Sequence, residues 1–100
     1  MPARIAVDQE RIAALCGRHR IRELAFFGSV LRDDFALDSD IDVLAEFAPD
    51  AEVSLFDLVH IQAELSVMLG RSVDLVEKRG LRNPFRRAEI LRTAERVYAA

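Results

Sequence analysis

The sequence has one cysteine, one tyrosine, three prolines, four glycines and, among fourteen cationic residues, a single lysine, Lys78. Each scarcity excludes something. A lone Cys16 cannot form an intrachain disulfide, nor build a cysteine-rich zinc site. No apolar run approaches the roughly 18 residues of a membrane span. The start, "MPARIAVDQER", lacks the long apolar segment of a secretory signal. There is no internal repeat, low-complexity tract or Pro/Gly/Ser linker. A formal charge of only −3 speaks against generic adhesion to nucleic acid as the main role. The expectation is one soluble, cytoplasmic domain over residues 1–100.

What is present is a core and a charge asymmetry. Hydrophobic residues make up 51% of the chain, enough for a core without covalent staples. From Asp33 to Asp57 there are nine acids and no cation; from Lys78 to Arg96 there are seven cations and two glutamates. Both stretches can be ordinary solvated surface. They can equally be an acidic site that a cation neutralises and a basic surface facing an anion or an acidic partner.

Periodicity predicts the elements. Asp8 can cap a helix to about His19, with Ile12, Leu15, Cys16 and His19 at helical spacing. "ELAFF" reads as a strand ended by Gly28, and "SVLRD" as a short helix from Ser29. "DIDVLAEF" reads as a strand, with Asp40, Asp42 and Leu44 on one face and Ile41, Val43 and Ala45 on the other. Ser54 and Asp57 fit a capping box for a helix to about Leu69. Its expected apolar stripe is Leu55, Leu58, Val59, Ile61, Leu65, Met68 and Leu69. Gly70 suits its end. "SVDLVE" is a third strand. Asn83 and Pro84 open a last helix, and "RVYA" can close as a strand. The order α-β-α-β-α-β-α, with or without that final strand, gives an α+β (mixed α/β) fold class.

Two carboxylates one residue apart in a strand need a reason. Asp40 and Asp42 would point the same way with Cα atoms roughly 6.5 Å apart, and on a buried face they would repel each other and lose solvation. A hard divalent cation such as Mg²⁺ removes the conflict and bridges carboxylates to substrate phosphates. The plainer reading is a solvent-facing pair at a strand end. Gly28-Ser29, a strand end feeding a helix, offers backbone N–H groups and a hydroxyl to a phosphate, or is simply a turn and cap. Asp74 is a third acid in an apolar strand. If that strand pairs with the first, Asp74 faces the other two, and three carboxylates can hold two metal ions about 3.5–4 Å apart for phosphoryl transfer. Asp74 could also serve as general base. Otherwise it is an edge residue or an ion-pair partner of Arg71 or Lys78.

Gly28-Ser29, ten intervening residues, then Asp40-x-Asp42 resembles the G-S-x10-D-x-D signature of the DNA polymerase β-like nucleotidyltransferases. The string "GSVLRDDFALDSDIDVLAEF" is similar to their small stand-alone branch, the minimal nucleotidyltransferase (MNT) domain. Arg32, Ser39 and Asp74 fall at matching positions, and "NPFRRAEIL" resembles the family's ending. The resemblance implies a nucleotidyltransferase fold: a mixed β-sheet packed by helices, with the active site at one edge of the sheet. It implies ATP as substrate and Mg²⁺, two ions, as cofactor. Gly28, Ser29, Arg32 and Ser39 would bind nucleotide; Asp40, Asp42 and Asp74 would be catalytic and hold the metals. It implies a partner too, a HEPN-domain toxin encoded nearby, in a hetero-oligomer. The chain would act as antitoxin by moving AMP onto a tyrosine hydroxyl of that toxin.

The short chain leaves little to recognise an acceptor, so the expectation is that another protein supplies it, with Arg79 to Arg96 as docking or phosphate-binding surface. Two further readings compete. One is an antitoxin that neutralises by binding alone; the other is a transferase acting on a small molecule. His19 and His60 read as structural or solvent-facing, Cys16 as a small core residue, and Tyr98 as a packed one.

Overall fold

The computed structural model describes residues 7–28 and 40–100. Helix α1, Gln9–His19, starts where Asp8 accepts hydrogen bonds from the N–H groups of Glu10 and Arg11. Such a cap stabilises a helix by about 1 kcal/mol. The helix ends on Arg20 in the left-handed conformation, whose N–H returns to the Cys16 carbonyl. Strands β1, Ile21–Phe27, and β2, Ile41–Phe47, follow. Helix α2, Leu55–Leu69, carries the expected capping box: Ser54 Oγ accepts from the Asp57 N–H at 3.1 Å, and Asp57 accepts from the Ser54 N–H at 2.9 Å. Gly70 closes it at φ 70°. Strand β3 is Val73–Glu77, helix α3 is Pro84–Thr93 with Asn83 as its cap, and β4 is Glu95–Ala99. The helix expected from Ser29 lies outside the described residues.

The four strands form one mixed sheet in the order β3-β2-β1-β4. β1 is antiparallel to both β2 and β4; β2 and β3 are parallel, joined by α2 as the crossover. One face buries Ile41, Val43, Ala45 and Phe47 of β2 against Ile12, Leu15 and Cys16 of α1 and Ile61 and Leu65 of α2. The other face carries a smaller cluster: Phe27, Leu44, Leu81 and Ile90 of α3. The period-2 pattern of β2 therefore sorts Ile41 and Val43 into the main core and leaves Asp42, Leu44 and Glu46 on the α3 side.

The apolar stripe expected of α2 is narrower than the sequence suggests. Ile61 and Leu65 are buried and Leu58, Met68 and Leu69 half-buried, but Leu55 and Val59 are 75% and 58% exposed. At about 100° per residue, Val59 sits about 160° around the helix from Ile61, and Leu55 about 120°, so one face cannot hold them all. The same helix completes the sheet edge. Ser66 Oγ accepts from the Val73 N–H at 3.1 Å and Gln62 Oε1 from the Leu75 N–H at 2.9 Å. These satisfy the outward N–H groups of edge strand β3 and leave its other side to pair with β2.

Candidate active site

Three chain segments meet where β1 ends and β2 and β3 begin. Phe27, the last residue of β1, pairs with Asp42 of β2, and Asp42 pairs in parallel register with Asp74 of β3. Paired neighbours project to the same face of a sheet, on strands about 4.8 Å apart. Asp42 and Asp74 thus stand side by side. Asp40 immediately precedes β2, and the Ile41 N–H is anchored to the Ser72 carbonyl at 2.8 Å. The tertiary fold brings together carboxylates 32 residues apart in sequence (74 − 42).

Gly28 closes the group. It follows β1 with φ 74°, the left-handed region in which a side chain is costly. A Cβ there would land on Asp42 Oδ2 and stand 3.3 Å from Asp42 Cγ. Glycine is therefore required twice at this position, by backbone conformation and by the closeness of the carboxylate. The Asp42 carboxylate itself occupies the space that a side chain at position 28 would need.

The setting is wetter than a buried-strand reading implies. Asp40 and Asp74 are exposed and Asp42 is half-buried. The strand ends open to solvent here, so all three carboxylates keep access to water or a ligand. Ser29, Arg32 and Ser39, the other expected nucleotide contacts, lie outside the described residues.

The donor set fits Mg²⁺. Carboxylate oxygens are its preferred protein ligands, and it commonly uses one or two of them, filling its remaining positions with water and substrate phosphates. Among the described residues no three acidic, histidine or cysteine groups converge into a cage that could hold a metal ion. An ion shared with a triphosphate needs no such cage.

The nucleotidyltransferase domain model matches residues 10–97. The chain belongs to the nucleotidyltransferase domain family. Protein adenylyltransferase MntA of Thermococcus cleftensis is 36% identical to it over 66 residues, 66% of this chain and 65% of that protein. A solved structure assigned to the minimal nucleotidyltransferases is 37% identical, covers 86% of this chain and 85% of its own, and superposes with a TM-score of 0.70. The MNT antitoxin complex with the tri-AMPylated HEPN toxin of Shewanella oneidensis matches with a TM-score of 0.64 over 92% of this chain and 70% of the other, at 17% identity. At that identity the likeness carries the fold alone. The mixed sheet with helices on it is thus the minimal nucleotidyltransferase fold, and this chain is a nucleotidyltransferase.

The structure supplies partners that the sequence could not name for residues it had already singled out. His19 Nε2 lies 3.0 Å from Glu64 Oε1, and its ring stands edge-on to His60 at 6.1 Å. Arg18 also donates to Glu64. Burial alone would raise the Glu64 pKa, but the hydrogen bonds from Arg18 and His19 hold it below the usual range. This cluster ties α1 to α2 and is structural. Cys16 is buried, its thiol pushed up to about 12, as suits an unreactive core residue. A second polar group joins Glu46 to Lys78 at 2.8 Å near the far end of β2. No sequence motif announces it, because strand register alone makes these residues neighbours.

Proposed function

We propose that this nucleotidyltransferase moves AMP from ATP to a hydroxyl, of tyrosine, on a HEPN-domain toxin, and thereby acts as its antitoxin. The observation that carries the reading is the Asp42–Asp74 register beside Gly28, whose lack of a side chain lets the Asp42 carboxylate pack against the end of β1. The relatives add direction: one is named a protein adenylyltransferase, and a fold neighbour is an MNT antitoxin bound to an AMPylated HEPN toxin.

The reaction joins the acceptor oxygen to the α-phosphorus, breaks the bond to the β-phosphate bridging oxygen, and releases pyrophosphate. When bound at the carboxylates, Mg²⁺ neutralises the triphosphate and lowers the cost of the charge that develops on the leaving pyrophosphate. Gly28 lets the backbone approach the phosphates without a side chain in the way. Asp40 and Asp42 would hold the Mg²⁺ and, through it, the triphosphate at the start of β2. Asp74, on the outer strand, would accept the proton of the acceptor hydroxyl. Ser29, Arg32 and Ser39 are proposed to hold the rest of the nucleotide. The chemistry needs positioning and charge more than covalent participation.

The test combines this protein with the HEPN partner, α-labelled ATP and Mg²⁺. Label is expected on the partner, lost by about 10²-fold or more in Asp42→Asn. A variant that leaves the partner unlabelled yet still silences it would replace catalysis by simple binding as the antitoxin mechanism.

A further inference from the structure

At the opposite end of β2 from the carboxylates, a cavity of about 240 Å³ opens between the sheet and α3. Arg22, Lys78, Arg79 and Arg87 line it, with Glu46 and the ring of Phe47. Glu46 is four residues along β2 from Asp42, roughly 13 Å away. This is a different place from the candidate active site.

The charges there do not cancel. Four cations face one carboxylate, in a chain whose acids outnumber its cations by seventeen to fourteen. Lys78 Nζ is committed to Glu46. The guanidinium of Arg87 donates to the Lys78 carbonyl at 3.0 Å, and that of Arg79 to the Pro49 carbonyl at 3.4 Å. Those acceptors are neutral, so they orient the guanidinium groups without consuming their charge. Elsewhere in the basic segment, Arg92 pairs with Glu89, and Arg96 with Glu23. Arg79 and Arg87 are thus oriented at the cavity by carbonyl oxygens, while Lys78 takes the Glu46 carboxylate.

Backbone geometry adds a further cation. The β1–β2 register slips between Ile21 and Glu23, so Arg22 is the extra residue of a β-bulge. A bulge re-aims a side chain that a regular ladder would place elsewhere. Here the re-aimed side chain lines the cavity. The carboxylate of Glu46 feels this surplus: its pKa lies below the usual range, first through the Lys78 hydrogen bond, with Arg22 and Arg79 adding attraction.

We propose that the Arg22–Lys78–Arg79–Arg87 cavity is an anion site that takes a phosphate group, separate from the carboxylate site. Planar guanidinium forks match phosphate oxygens in pairs, whereas a lysine acts as a point charge. The volume is several times the roughly 30 Å³ that a water molecule occupies in liquid, so a diphosphate fits. Two sources share this chemistry: free pyrophosphate, which nucleotidyl transfer releases, and the phosphates of a nucleotide.

The test uses the whole chain with Asp42→Asn in EDTA, so that neither metal nor transfer contributes. Inorganic pyrophosphate and ADP are titrated separately by calorimetry and by amide shifts. Expected are salt-sensitive binding and shifts at Arg22, Lys78 and Arg79. Combining Arg22→Gln with Arg87→Gln should weaken binding at least tenfold. Glu46→Gln, which removes the competing carboxylate, should tighten it several-fold, a gain that misfolding cannot mimic. Tighter binding of ADP than of pyrophosphate assigns the nucleotide as source; the reverse order assigns the free anion. Shifts centred on Gly28 and Asp42, affinity indifferent to the arginine variants, or an acidic tetrapeptide binding more tightly than pyrophosphate would each overturn the proposal. Because transfer is disabled throughout, failure here leaves the adenylyltransferase reading standing, and failure of that reading leaves this one.

Discussion

At the scale of single residues, Gly28 and Asp42 make different predictions for stability and transfer. Gly28→Ala must adopt a left-handed backbone and push a methyl onto the Asp42 carboxylate. The backbone penalty alone is about 1 kcal/mol, and the displaced carboxylate adds to it. Both the melting temperature and transfer should fall. Asp42→Asn keeps the side chain's shape but removes a charge standing beside Asp74, so transfer should collapse with a smaller fall in melting temperature than Gly28→Ala brings. Calorimetry of the two variants separates these effects. Glu46 sets a pH dependence. Its folded-state pKa is lowered, mainly by Lys78. A lowered pKa means stability that is present above the unfolded value of about 4.5 and lost as pH falls through the folded value. Denaturant melts between pH 3 and 6 should show this loss in the native chain and a flatter profile in Glu46→Gln.

At the scale of elements, β3 matters most, because it carries Asp74 and, among the described residues, has no strand on its outer side. Its outward N–H groups are met by Ser66 and Gln62 of α2. Gln62→Ala leaves the Leu75 N–H without its side-chain partner, at a cost of about 1–2 kcal/mol. The strand should then be held less firmly, and transfer should fall although Gln62 touches no substrate. Amide exchange at Leu75 in the variant checks the structural half of this. Unchanged exchange would mean that water replaces the side chain without loss. The elements themselves were largely legible. Asp8, Ser54, Gly70 and Asn83 are where the sequence put the helix boundaries, because caps are local chemistry between residues two to four apart. The α2 stripe was less so. Leucine and valine are apolar whichever way they point, and only the sheet's position decides that Ile61 is buried and Val59 is not.

At the scale of the whole molecule, a carboxylate end and an arginine end divide the α3-side face of the sheet. Carboxylates gather where β2 and β3 begin, and arginines where they end. Mg-ATP binding at the first should stabilise the folded chain by linkage, about 2.7 kcal/mol at a hundredfold excess over Kd. For a chain of this size that is a rise of several degrees or more in melting temperature. The rise should vanish in Asp42→Asn; an unchanged melting temperature in the native chain at saturating Mg-ATP would count against nucleotide binding at these carboxylates. The sequence by itself determined the α+β class, the helix caps, and the spacing from Gly28 to Asp40 and Asp42, because these depend on neighbours in the chain and on alternation along a strand. Only the tertiary structure decided that Asp74 registers against Asp42, that Gly28 leaves no room for a side chain, and that Arg22 joins Lys78 and Arg87. Those facts come from parallel pairing across a helical crossover, a turn's close approach and a one-residue bulge, none of which leaves a periodic trace in the sequence.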